Sequence, residues 1–287
     1  MSRHEVRWMF HSTAIVADYG LAIQHLGKLI GLRILEYGES SQPGIGRRGG
    51  MTWVGGNSIE IGQPITDGGA GRFVTDFGGG MHSVALQVRD LDGTIDHLES
   101  EGVRIAAKPT PEMCFSDPRD TGGVLIQWSS FELNEDPRFG APEPEPYADA
   151  TVPVSQHAFV GALAEEPVKL AHRLARLTGT DVAFENPGSA SGEPKAGVSL
   201  GDCILALFDL SQNQNEGLWG HHYSRPRTHL AAMRVEERHG CLSALSDANI
   251  STVGTESGLI LVDPSATAGI QIAFTDRLLT GDPRYQR

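Results

Sequence analysis

Cysteine is scarce in this chain of 287 residues. Cys114, Cys203 and Cys241 are isolated and odd in number, so neither a disulfide framework nor a thiolate metal site has support. No apolar run reaches membrane-spanning length, and the opening "MSRHEVRWMF" lacks the apolar core of a signal peptide. The expected location is therefore the cytoplasm, with no membrane partner. Basic residues are outnumbered 23 to 36, a formal charge of −13, which argues against nucleic acid as a partner because phosphate binding needs a basic surface. No G-x-S-x-G elbow occurs. "GIGRRG" (44–49) has the letters of a nucleotide loop but leads into the apolar stretch "MTWV" rather than a helix. A loop over a cavity mouth, with Arg47 and Arg48 as anchors for an anionic substrate, is the reading kept for it.

The chain repeats itself. "FSDPRDTGGVLIQW" (115–128) aligns without a gap with "LVDPSATAGIQIAF" (261–274) at an offset of 146. "HSVALQVRDLDGTIDHLESEGVRI" (82–105) meets "HLAAMRVEERHGCLSALSDANIST" (229–252) at 147, bringing His82 onto His229. "VGGNSIEI" (54–61) meets "LGDCILAL" (200–207), and His11 meets His157, both at 146. Three stretches agreeing within one residue mark a duplication. The Pro- and acid-rich segment 132–153 reads as the linker, dividing the chain into an N-terminal domain, 1–131, and a C-terminal domain, 154–287.

Each half divides again into a strand, a helix and further strands. In the first quarter "HSTAIV" reads as a strand, residues 19–30 as a helix, and "NSIEI" as a closing strand with Ser58, Glu60 and Gly62 on one face. In the second, "HSVALQV" is a strand, "GTIDHLESEG" a helix stopped by Gly102, and "GVLIQW" a last strand. Strand parity puts His82 on the face of Val84, Leu86 and Val88. Residues 68–80, "GGAGRFVTDFGGG", read as a connector between quarters. The adjacent pair in "GHHYSRPR" (220–227) faces opposite ways on a strand and is unsuited to one metal. Glu60, a carboxylate within an apolar strand, is open to three roles: an edge charge, an ion-pair partner or a ligand aimed into a cavity.

Four βαβββ quarters, paired within halves, resemble the vicinal oxygen chelate superfamily. The second quarter is most similar to methylmalonyl-CoA epimerase-like and glyoxalase I-like members. The resemblance implies an α+β fold in which four βαβββ modules pair into two cup-shaped mixed sheets. It implies that the first and last strands of each quarter supply metal ligands, which on this sequence are His11, Glu60, His82 and Gln127. Two imidazoles, a carboxylate and an amide oxygen suit one divalent ion such as Fe, Mn, Co, Ni or Zn. The duplicate places His157, Ala206, His229 and Ala273 at these positions, so a degenerate second site is expected.

The resemblance implies a metal-dependent isomerase, epimerase or lyase that stabilises an enediolate of a small substrate with vicinal oxygens. The family's usual carboxylate base is here Gln127, which leaves Glu60 as the expected catalytic group. An extradiol-type Fe(II) dioxygenase built on His11, His82 and Glu60 is the alternative, and a non-catalytic small-molecule binding protein is a third. Trp53, Trp128, Phe115 and Met113 are candidates for the cup wall. The resemblance leaves a monomer or a homodimer open.

Overall fold

The computed structural model describes residues 6–41, 45–190, 192–212, 225–255 and 258–286. His221 and His222 of the adjacent pair lie outside the described residues. Eight strands build the first sheet: β1 (Val6–Val16), β2 (Leu35–Ser40), β3 (Arg47–Val54), β4 (Asn57–Pro64), β5 (Gly79–Val88), β6 (Ile105–Thr110), β7 (Met113–Ser116) and β8 (Leu125–Ser129). Their order is β2-β3-β4-β1-β5-β8-β7-β6. The first two quarters thus join through an antiparallel β1–β5 pair, while β1–β4 and β5–β8 run parallel.

The second sheet repeats that order with β9 (Gln156–Ala164), β10 (Val182–Glu185), β11 (Ala196–Ser199), β12 (Ile204–Asp209), β13 (Arg227–Arg234), β14 (Thr252–Gly254), β15 (Ile260–Val262) and β16 (Ile272–Thr275). This is the tandem vicinal oxygen chelate-like fold, an α+β arrangement of two eight-stranded mixed sheets.

Among the described residues, helices cross between strands as α1 (Tyr19–Ile30), α2 (Gly69–Phe77), α3 (Leu91–Ser100), α4 (Pro167–Thr178) and α5 (Arg238–Asp247). α1 starts where the Asp18 carboxylate accepts the Leu21 N–H at 2.9 Å, and α3 where Asp90 accepts from Gly93 at 3.0 Å. α2 lies inside the stretch read from sequence as a connector. Its phenylalanines, Phe73 and Phe77, are one turn apart with ring centroids at 5.3 Å, and the Arg227 guanidinium caps both rings. That pairing supports a helix which glycine content alone would disfavour.

The apolar cores run across the halves. Leu91 and Leu98 of α3 and Val84, Leu86 and Val88 of β5 cluster with Leu170 and Leu174 of α4 and Leu205 of β12. Leu26 and Leu29 of α1 and Ile59 and Ile61 of β4 cluster with Leu245 of α5 and Phe274 of β16. Each helix-bearing sheet face is therefore covered by its counterpart from the other half. A third cluster, including Phe159, Ala206, Phe208 and Ala273, fills the second sheet's own interior.

Segment 132–153 is stitched to both halves. Arg138 forks onto the fully buried Asp136 and donates to the backbone oxygens of Met9 (2.8 Å) and Phe10 (3.0 Å). The motif recurs 146 residues later. Arg284 pairs with Asp282 and donates to the carbonyls of His157 and Ala158. Asp202 accepts from Met9 N, Asn57 Nδ2 and Arg138 Nη1, and Asn57 Oδ1 accepts from Arg284 Nη1 at 3.2 Å, which links the two clasps. Among the described residues no helix is long and apolar enough to cross a membrane.

Candidate functional site

The first sheet curls as a half-barrel around a cavity of about 390 Å3. Six of its strands reach that cavity: β1 with His11, β2 with Tyr37, β3 with Arg47 and Trp53, β4 with Glu60, β7 with Met113 and β8 with Gln127. Phe131 and Leu133, just after β8, close one side. Of the expected wall residues, Trp53 and Met113 line the cavity, whereas Trp128 sits fully buried in the core and Phe115 is not part of the lining.

Glu60 is 4% exposed and surrounded by donors. Arg47 Nη2 reaches both carboxylate oxygens, at 2.7 and 2.8 Å, and its Nε lies 3.1 Å from Oε1. The Tyr37 hydroxyl donates to Oε1 and the Thr13 hydroxyl to Oε2, the latter at 3.0 Å. Two glycines make this possible. A Cβ on Gly62 would stand 2.7 Å from Arg47 Cδ, and one on Gly49 would stand 2.6 Å from the Tyr37 hydroxyl. Burial by itself would raise the Glu60 carboxyl, but the charges of Arg47 and His11 and the hydrogen bonds from Tyr37 and Arg47 outweigh it, leaving a value of about 2.

His11 is 3% exposed. Burial lowers its imidazole to about 4, helped by Arg47 and Arg138 and opposed by Glu60, so the ring is neutral at pH 7. Its tautomer follows from the proton inventory. Thr13 has one hydroxyl hydrogen, and Glu60, a carboxylate, can only accept it. Thr13 Oγ1, 3.1 Å from His11 Nδ1, must then accept from Nδ1–H. The proton-free nitrogen is Nε2, 3.5 Å from the Gln127 amide nitrogen. Gln127 in turn donates to Ser129 Oγ at 2.9 Å.

Burial lowers the His82 imidazole to about 3, helped by Arg47 and Arg227 and opposed by Glu60, so the ring stands within electrostatic reach of the Arg47–Glu60 pair. Between Thr13 and Ala14 the β1–β5 pairing steps two residues on β5, from Ser83 to Met81, so His82 falls at a bulge. Its ring meets Phe73 edge-on at 4.7 Å, its Nδ1 lies 3.1 Å from Ser83 Oγ, and it is not part of the cavity lining. Of the four residues expected to converge, His11, Glu60 and Gln127 line the cavity and His82 does not. The bulge interrupts the alternation that would put His82 on the face of Val84, Leu86 and Val88.

The donor set does not fit a divalent ion as arranged. Among the described residues no group of three or more His, Cys, Asp or Glu side chains is placed to hold a metal. The lone pairs that Glu60 would give an ion are taken by Arg47, Tyr37 and Thr13, and a guanidinium already supplies the neutralising charge. Arg47 is equally unfit as the expected anchor for an anionic substrate. Arg48 is turned outward, donating to Gln63 at 3.0 Å. Sequence reading missed Thr13, Tyr37 and the role of Arg47. Thr13 carried a legible signal, since it shares the strand face of His11 two residues away.

Residues 10–115 match the family model of the glyoxalase/bleomycin resistance protein/dioxygenase superfamily. No curated protein matches the chain by sequence. Among solved structures, a variant of 4-hydroxymandelate synthase from Streptomyces coelicolor superposes with a TM-score of 0.66 at 13% identity, covering 96% of this chain and 95% of that one. A Mn(II)-bound glyoxalase from Novosphingobium aromaticivorans gives 0.62 at 11% identity, over 96% and 84%. The 2,3-dioxygenase LapB from a Pseudomonas species gives 0.59 at 13%, over 99% and 96%. At these identities the likeness establishes the fold alone.

Proposed function

We propose, from the tandem vicinal oxygen chelate-like fold and the match of residues 10–115 to the glyoxalase/bleomycin resistance/dioxygenase superfamily model, that the first cup is the site of an isomerase, epimerase or lyase working by proton transfer. His11 Nε2 is the accepting atom. The observation that carries this reading is the chain Glu60–Thr13–His11, which fixes the imidazole with its lone pair on the nitrogen nearest Gln127.

A proton leaving a carbon beside a carbonyl would pass to Nε2, its bonding pair moving onto the carbonyl oxygen to give an enediolate. The imidazolium so formed would face the Glu60 carboxylate, which lies 3.7 Å from Nδ1. The Gln127 amide is placed beside Nε2 to donate to the developing oxyanion. Return of the proton from Nε2 to the neighbouring carbon on the same face, with the hydroxyl proton passing from one substrate oxygen to the other, completes an isomerisation. Glu60 thereby changes role from the expected base to the group that orients and stabilises one.

The dioxygenase alternative has less support, because its facial triad needs His82 and free Glu60 oxygens. The test is solvent exchange. The protein, with and without prior chelator treatment, is incubated in D2O with a panel of small hydroxy-ketones, and deuterium uptake is followed by NMR. Uptake by both preparations, lost in His11→Gln with the fold retained, is the expected result. Uptake that vanishes on chelation or persists in His11→Gln overturns the reading.

A further inference from the structure

The electrostatics of the cup restrict what can enter it. Three carboxylates, Glu36, Glu60 and Glu135, and one guanidinium, Arg47, line the cavity. Arg47 and Glu60 neutralise each other in its floor, while Glu36 and Glu135 are exposed at its edge. A carboxylate entering this space would pass the acidic edge and find no uncommitted cation among the described lining residues. A desolvated charge without a counter-ion is strongly disfavoured. An ammonium meets the converse difficulty, since the only carboxylate in the floor is already saturated. Much of the remaining wall is apolar, from Met51, Trp53, Met113, Phe131 and Leu133. The polar acceptors facing a ligand include Gln127 and His11 Nε2, the latter held 3.5 Å from its nearest partner, longer than a normal hydrogen bond.

We propose that the first cup binds an uncharged ring compound that donates a hydroxyl to His11 Nε2, and that it discriminates against carboxylates. This rests on the proposed function only in taking the first cup as the ligand site. A binding measurement tests it without turnover, so its failure and that of the proton-transfer reading are separable.

Calorimetric titration of the full chain at pH 7 with 2-naphthol, 2-methoxynaphthalene and 2-naphthoate compares three ligands of similar shape. The naphthol should bind about tenfold or more tightly than the naphthoate. It should exceed the methoxy compound, which has no proton to donate, by about threefold to tenfold. Met113→Trp, which fills the cavity, should abolish binding. Glu60→Gln, which releases the charge of Arg47, should raise naphthoate affinity about tenfold relative to naphthol. The wild-type series decides the matter by itself if that variant does not fold. Naphthoate binding as tightly as naphthol, methoxynaphthalene equalling naphthol, undiminished binding by Met113→Trp, or no binding by any probe would each overturn the proposal.

Discussion

Arg47 grips Glu60 by both carboxylate oxygens from the neighbouring strand, with Nη2 at 2.7 and 2.8 Å, in a cup whose floor is otherwise largely apolar. The pair is buried on both sides, so neither partner is replaceable alone. Arg47→Met should leave an uncompensated buried carboxylate and destabilise the fold by about 3–5 kcal/mol. Arg47→Met/Glu60→Gln should recover much of that loss. Chemical denaturation of the two single variants and the double variant measures the coupling. Additive losses would mean that the pair contributes nothing as a pair.

Thr13 passes the charge of Glu60 to His11, accepting at 3.1 Å and donating at 3.0 Å. Thr13→Val keeps the shape and removes the relay. In the wild type, 15N NMR of the imidazole should show the Nδ1–H tautomer at pH 7, and in Thr13→Val a mixture of tautomers. A wild-type ring protonated on Nε2 would contradict the hydrogen-bond inventory.

Gly62 is required by Arg47 rather than by the strand. Its Cβ would stand 2.7 Å from Arg47 Cδ and 3.0 Å from Ile15 Cδ1. Gly62→Ala is expected to cost about 1–3 kcal/mol, in the range of an overpacked core. Pairing it with Arg47→Ala should relieve most of the strain, and thermal melts of the single and paired variants make the comparison.

Acid should weaken the fold in a defined window. Burial lowers His11 to about 4 and His157 and His229 to about 3, against roughly 6.5 in an unfolded chain. Between these values the unfolded state binds protons that the native state does not. Stability is therefore full above pH 6.5 and falls as pH drops, by about 1.4 kcal/mol per pH unit for each histidine within its window. Glu60, held at about 2, adds a loss of the same sign below its unfolded value near 4.5. Denaturation midpoints at pH 8, 6.5, 5.5 and 4.5 should decline in that order. A flat profile from 8 to 4.5 would contradict the buried neutral histidines.

Much of the architecture was legible because it repeats. The helix read over 19–30 is α1, and "NSIEI" forms β4 with Ile59 and Ile61 toward the core and Glu60 toward the cavity. The bulge at His82 was not legible, because matching the two halves aligns it with His229, and both residues occupy bulges. β13 skips a residue against β9 between Thr228 and Leu230, just as β5 does at His82. Alignment of one bulge with another cannot reveal that either exists, and a single extra residue changes which side chains face the cup. The Asp-Pro-Arg clasp at 136–138 and 282–284 was present in the letters, but its first copy was hidden in a segment whose proline and acid content reads as linker.

The sequence by itself determined the duplication, the order of strands and helices within each quarter, and the place of a carboxylate within an apolar strand. Those properties rest on periodicity and on comparison of the chain with itself. Only the tertiary structure decided what Glu60 is for. Its partner, Arg47, lies across the β3–β4 hairpin, where Gly49 pairs with Gly62 and Met51 with Glu60. The guanidinium reaches back over a glycine to its carboxylate. Whether a charge meets a counter-charge, a metal or water depends on register, side-chain reach and the space left by neighbours, none of which residue spacing encodes.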